Sequence, residues 1–256
     1  MSFDGFTPHD ALPFVGYSAE EASRFYGWVL RLARLLRVEF AGIDKLPRGR
    51  ALLVANHPFG WDVAFAIAAI WEQTGRPVWV LGEHLWWEVP LLRRLASTVG
   101  IVDGTPDNTD RLLGEDQLVL VLPGGLREAV TPRELRYHLL WGHRYGFVKA
   151  ALRNRAPMVP LAALGADELF DFFGNSYDRG RRWLGAKRFP IPLPTRILPI
   201  PHRVRLRYVI GDPLPPPAPP EQANDPEVLR NARYLIRGAL QELIDTELAR
   251  RVGVTP

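Results

Sequence analysis

The chain has 256 residues, 47% of them hydrophobic and none a cysteine, which is enough for one substantial core and excludes disulfides, thiolate metal sites and cysteine nucleophiles. Its formal net charge is +4 and its sequence pI about 9.6, a basic balance suited to nucleic acid, anionic lipid or a phosphorylated cofactor. No run approaches the ~18–20 apolar residues of a spanning helix, and the opening MSFDGFTPHD carries acids where an export signal carries Lys or Arg.

In chain order, the spacing first predicts a helix over 19–38, where Phe25, Trp28, Val29, Leu32, Leu35 and Leu36 recur three and four residues apart among Arg24, Arg31, Arg34 and Arg37. Such a helix either docks on the core or lies in a lipid interface with its arginines at the headgroups. Apolar runs at 51–55, 78–81, 117–122 and 158–162 read as strands. They alternate with helical patterns at 63–73, 91–97, 107–113 and 144–154. That alternation predicts an α/β fold with a mostly parallel central sheet flanked by helices.

The segment 179–207 holds nine Lys or Arg and no Asp or Glu, with Trp183 and Phe189 interleaved. PLPPPAPP at 213–220 reads as a stiff extended linker. It leads into a helix over 226–250 with Leu229, Leu235, Ile236, Leu240, Leu243 and Leu248 on one broad face. There is no internal repeat and no second core, so one domain is expected.

The motif Asn56-His57-Pro58-Phe59-Gly60-Trp61-Asp62 interrupts an apolar strand–helix run. His57, preceding a proline, is pushed toward extended geometry at the strand's end, and Pro58 suits the first position of a helix. With the histidine in the turn, the Asp62 carboxylate can reach the imidazole, fix its tautomer and leave the other nitrogen to accept a proton. The alternative is a histidine capping the turn beside a solvated aspartate. A second motif follows the strand at 117–122: Pro123-Gly124-Gly125-Leu126-Arg127-Glu128. Paired glycines let backbone N–H groups approach a ligand oxygen, and Arg127 offers a charge for phosphate or carboxylate. A plain turn is the alternative.

In order and spacing, these motifs resemble the glycerolipid acyltransferases, over residues 35–212. His57 and Asp62 match that family's histidine–four residues–aspartate motif. Pro123, Gly124, Gly125 and Glu128 match the Pro-Gly-Gly form of its diacylglycerol acyltransferase 2 branch, and Arg127 sits where the lysophosphatidate branch keeps an arginine. Arg144, Gly146, Phe147, Val159 and Pro160 are similar to the downstream block. The resemblance implies an N-terminal segment over 1–38 and an acyltransferase domain over 39–256. His57 becomes the general base for an acceptor hydroxyl, oriented by Asp62. Asn56, Gly60, Pro123, Gly124, Gly125, Arg127, Glu128 and Arg144 become substrate-binding residues, with the backbone around Gly124 and Gly125 a candidate oxyanion site.

The donor implied is an acyl thioester, acyl-CoA or acyl-carrier-protein, and the acceptor a lipid hydroxyl. No cofactor, metal or nucleic-acid partner is expected. The lysophosphatidate branch places a basic residue shortly after a glycine between the two motifs. Here GIVDGTPDN offers Asp103, and no arginine before Arg111, so a neutral acceptor is expected alongside a phosphate-bearing one. Substrates dissolved in a bilayer imply peripheral attachment to the inner face of a membrane. Its contacts would be Trp28, Arg31, Arg181, Arg182, Trp183, Lys187 and Arg188. The rival readings are a hydrolase using the same pair to activate water and a non-catalytic lipid-surface module. His138, His143 and His84 lack a third ligand in the sequence pattern, so local hydrogen bonding or packing is expected of them.

Overall fold

In a computed structural model of the chain, residues 17–57, 63–82, 96, 99–129, 133–168 and 204–253 are described. Their strands are β1 (Glu39–Ala41), β2 (Ala51–Ala55), β3 (Val78–Gly82), β4 (Ile101–Asp103), β5 (Leu118–Val121), β6 (Met158–Leu164) and β7 (Arg207–Ile210). The helices are α1 (Ala19–Leu36), α2 (Val63–Thr74), α3 (Pro106–Gly114), α4 (Leu126–Ala129), α5 (Gly146–Arg153) and α6 (Pro226–Arg251). The seven strands form one sheet in the order β1-β7-β6-β2-β5-β3-β4. Every pairing is parallel except β6 with β7.

The centre of the sheet follows from its composition. β2 and β5 are runs of Ala, Leu and Val, β6 adds Met158 and Pro160 to these, and all but Val121 are buried, as a strand covered on both faces requires. Side chains alternate between two apolar layers. Leu52, Val54 and Val119 face α3, α5 and α6, whereas Leu53, Leu118 and Leu120 face α1 and α2. Helix starts are set by local chemistry. Ser18 Oγ accepts the Glu21 N–H, Thr105 Oγ1 accepts that of Asn108, and Asp225 Oδ1 accepts those of Glu227 and Val228, satisfying donors that a helix leaves unpaired.

Three details differ from the sequence reading. The core-facing stripe of α6 is Leu229, Ala232, Ile236, Leu240 and Ile244, while Leu235 is 52% exposed; a 26-residue helix rich in leucine offers two overlapping stripes, and the sheet selects one. The proline-rich segment is extended but anchored: Leu214, which keeps its N–H, exchanges hydrogen bonds of 2.8 and 2.9 Å with Met158 at the start of β6. The basic segment ends in the antiparallel strand β7. There Arg207 is bonded to Glu247 at 2.7 Å and Glu39 at 2.8 Å instead of facing a partner surface. The helical pattern at 91–97 lies, apart from Ala96, outside the described residues.

This packing phase is checked by unfolding: Leu240→Ala should cost about 2–5 kcal/mol. Leu235→Ala, on the same helix, should stay within about 0.5 kcal/mol. Urea denaturation midpoints measure both.

Candidate active site

β2 and β5 are parallel neighbours in register, Val54 opposite Val121, so the two motifs emerge side by side at the carboxyl edge of the sheet. Open α/β sheets bind ligands along that edge. From β2 the chain continues to Asn56 and the half-buried His57; from β5 it passes through Leu122 into the buried turn Pro123–Gly125 and then α4. Gly60 and Asp62 lie outside the described residues, and α2 begins at Val63.

Glu128 joins the two edges. Its buried carboxylate accepts the His57 backbone N–H on Oε2 at 3.0 Å and the Leu140 N–H on Oε1 at 2.5 Å. The carboxylate can lie there because of Gly124: a β-carbon on that residue would come within 1.8 Å of the Glu128 Cδ. Gly125, at φ +56°, donates its N–H to the Leu122 carbonyl at 3.0 Å and accepts that of Glu128 at 3.0 Å. Its positive φ favours glycine. Arg144 closes the turn from outside, donating from Nη1 to the Pro123 carbonyl at 2.9 Å. On the other side of β2, Asn56 extends the strand with its side chain. Its Nδ2 donates to the Ala163 carbonyl at 2.9 Å, and its Oδ1 accepts the Ala163 N–H at 2.8 Å.

Several residues expected to bind substrate also hold the site together. The Asn56 carboxamide brackets β2 to β6, and the Glu128 carboxylate brackets the His57 backbone to the 139–145 loop. The Gly125 N–H belongs to its turn, and Gly124 is required by Glu128. Arg127 is exposed on α4. Among the membrane-contact candidates, Trp28 and Arg31 are exposed on α1, whereas Arg181, Arg182, Trp183, Lys187 and Arg188 lie outside the described residues. His138 and His143 are exposed, with His138 Nδ1 3.0 Å from the Arg136 carbonyl. Sequence reasoning missed Arg237, which reaches Leu139 O at 3.1 Å from α6, because nothing local links residues 98 apart.

Burial pushes the Glu128 carboxyl up to about 7, against the opposing pull of the two backbone N–H donors and the charges of Arg144 and Arg237. Nearby, the Tyr137 hydroxyl donates to Glu168 at 2.6 Å and accepts the Gly165 N–H at 2.9 Å. Arg251 donates to the same carboxylate. This network ties the loop before Leu140 to the ends of β6 and α6.

Residues 37–163 match the family described as Acyltransferase. Over 210 residues the chain is 30% identical to the Mus musculus protein named "DGAT1/2-independent enzyme synthesizing storage lipids", covering 81% of this chain and 59% of that one. An uncharacterized protein of Mycobacterium tuberculosis is 30% identical over 232 residues, 85% of this chain and 63% of its own. The chain thus spans about three fifths of the length of the curated relatives it matches. The crystal structure of the 1-acyl-sn-glycerophosphate acyltransferase of Thermotoga maritima is similar in fold, with a TM-score of 0.51 at 15% identity over 88% of this chain and 79% of that one. The chain thus carries an Acyltransferase-family domain over residues 37–163.

Two outcomes test the Glu128 bracket. Gly124→Ala should displace the carboxylate at a cost of about 1–3 kcal/mol, read as a lowered urea midpoint. Glu128 holds its proton more tightly folded than unfolded. Its contribution to stability is therefore complete below its ordinary value of 4.5 and is lost as pH rises through about 7. The change is on the order of 3 kcal/mol. Denaturation at a series of pH values should show that decline in the wild type and a flatter profile in Glu128→Gln.

Proposed function

We propose that this chain is a membrane-associated O-acyltransferase that moves a fatty acyl group from a thioester to a lipid hydroxyl. The observation that carries the reading is the meeting of His57 with the Pro123–Gly125 turn at the carboxyl edge of two adjacent parallel strands, in a chain with an acyltransferase-family domain. His57, oriented by Asp62, takes the proton of the acceptor hydroxyl as its oxygen attacks the thioester carbonyl. The tetrahedral oxyanion is met by the Gly124 N–H. When the intermediate collapses, the C–S bond breaks, and His57 returns the proton to the departing thiolate. An ester and a free thiol result, with no acyl-enzyme.

Two observations favour a neutral acceptor, such as diacylglycerol or a long-chain alcohol. Between the motifs, the first basic residue of GIVDGTPDN and its continuation is Arg111, and it bonds Glu115 at 3.1 Å. The curated relatives named for storage-lipid synthesis also point to an uncharged product.

Membrane attachment is supported by α1. Its buried face is Ala22, Tyr26, Val29, Leu30 and Ala33. Beside that face runs a second apolar stripe in which Trp28 is 59% and Leu35 79% exposed, with Leu36 also exposed. At 100° per residue, Arg24 and Arg31 border this stripe on the side away from the core. Exposed aromatic and leucine side chains edged by arginine suit the boundary between headgroups and acyl chains. Among the described residues no helix is long and apolar enough to cross a membrane.

The test is acyl transfer from labelled palmitoyl-CoA and palmitoyl-carrier protein on liposomes, against diacylglycerol, fatty alcohol, lysophosphatidate and other lysophospholipids. Ester product is expected, reduced about 10²–10⁴-fold in His57→Ala. Free palmitate as the sole product would identify a hydrolase, and liposome binding without turnover a non-catalytic module. Replacing Trp28 and Leu35 together by serine should weaken liposome binding at least about tenfold, measured by flotation, with the unfolding midpoint preserved.

A further inference from the structure

Three arginines from two distant parts of the chain meet at the 139–145 loop. Arg233 and Arg237 stand one turn apart on α6. Arg233 Nη2 donates to the Gly142 carbonyl at 2.6 Å, with its Cζ 5.6 Å from the centre of the Tyr145 ring and 6.0 Å from that of Trp141. Arg237 Nη2 donates to the Leu139 carbonyl at 3.1 Å, and Arg144 Nη1, from the loop itself, to the Pro123 carbonyl at 2.9 Å. Each guanidinium is thus held in place by a neutral acceptor. Among the described residues none of the three is in a salt bridge, although ion pairs occur elsewhere on the protein, as at Arg153–Asp110 and Arg207–Glu247. The acid whose charge reaches Arg144 and Arg237 is Glu128, and its carboxylate is already bonded to two backbone N–H groups.

Hydrogen bonds to carbonyls fix the orientation of a guanidinium without cancelling its charge. Arginines fixed in this way favour an anion with several acceptor oxygens, a phosphate above all. The position identifies whose phosphate. The cluster borders the Pro123–Gly125 turn through Arg144. It lies on the α5/α6 side of the sheet, while the apolar stripe of α1 belongs to the α1/α2 side. A lipid acceptor therefore approaches from the α1 side, and a water-soluble co-substrate from the other.

We propose that Arg144, Arg233 and Arg237 form the subsite for the phosphate of a phosphopantetheine-bearing acyl thioester, whose pantetheine arm runs past the Pro123–Gly125 turn to His57. This rests on the acyl-transfer reading of the site. The phosphopantetheine is common to CoA and to a carrier protein, and the choice of donor separates them.

The experiment measures steady-state kinetics of the full chain on liposomes with palmitoyl-CoA, palmitoyl-carrier protein and palmitoyl-pantetheine, which lacks phosphate. The variants are Arg233→Gln and Arg237→Gln, with Arg230→Gln, an exposed α6 residue outside the cluster, as control. For whichever phosphate-bearing donor is used, KM should rise about tenfold in each cluster variant. The KM for palmitoyl-pantetheine and for the acceptor should not change, and the control should match the wild type. Equal losses with palmitoyl-pantetheine would mean that the arginines only support the loop. An unchanged donor KM, or a raised KM for lysophosphatidate alone, would also overturn the proposal. If the wild type turns over no donor, the acyl-transfer reading fails, and calorimetric titration with CoA itself still decides the subsite. Salt-sensitive binding lost in Arg233→Gln supports it, and absence of binding overturns it.

Discussion

A carboxylate buried between two backbone N–H groups ties together segments that stand 71 and 12 residues from it in the chain: His57 at the end of β2, and Leu140 in the loop before α5. An ionised carboxylate accepts with both oxygens and donates with neither, which matches this pair of donors. The neighbouring sequence is constrained accordingly. Residue 124 has no room for a β-carbon over that carboxylate, residue 125 holds a left-handed turn, and Arg144 and Arg237 place positive charge within reach. Burial works against the charge, and the carboxyl is pushed up to about 7. The bracket therefore changes character across the neutral range: two backbone donors are met by the ionised form, whereas the protonated form replaces one acceptor with an O–H.

Around that bracket the sheet separates two kinds of surface. On the side of α1 and α2, the tight layer formed by Ala22, Tyr26, Ala66 and Ile70 leaves a second apolar stripe of α1 uncovered. On the side of α5 and α6, arginines are drawn over a loop by its own carbonyls. One mixed sheet thus stands between the exposed apolar stripe of α1 and the arginine-lined loop beside the Pro123–Gly125 turn.

Legibility in the sequence followed length and period. β2, β5 and β6 were readable because buried parallel strands are continuous apolar runs, and α2, α3, α5 and α6 because their helical spacing is strong. The strands β1 and β4, three residues each, and β7, four residues within a basic stretch, are too short to show a period. The apolar positions of α6 and α1 were visible in the sequence. Periodicity alone does not say which stripe meets the sheet.

The sequence by itself determined the α/β alternation, the positions of the two motifs and their likeness to one family, since these depend on local spacing and on residue types in order. Tertiary structure alone decided what several motif residues do. Asn56, expected to bind substrate, brackets Ala163, and Glu128, expected likewise, holds the His57 backbone. Arg233 and Arg237 carried no motif and reach the loop beside the site. The physical reason is that hydrogen bonds and uncancelled charges depend on distances in space. Contacts between residues 98 or 107 apart are set by the register of the sheet and the packing of α6, which no local pattern encodes.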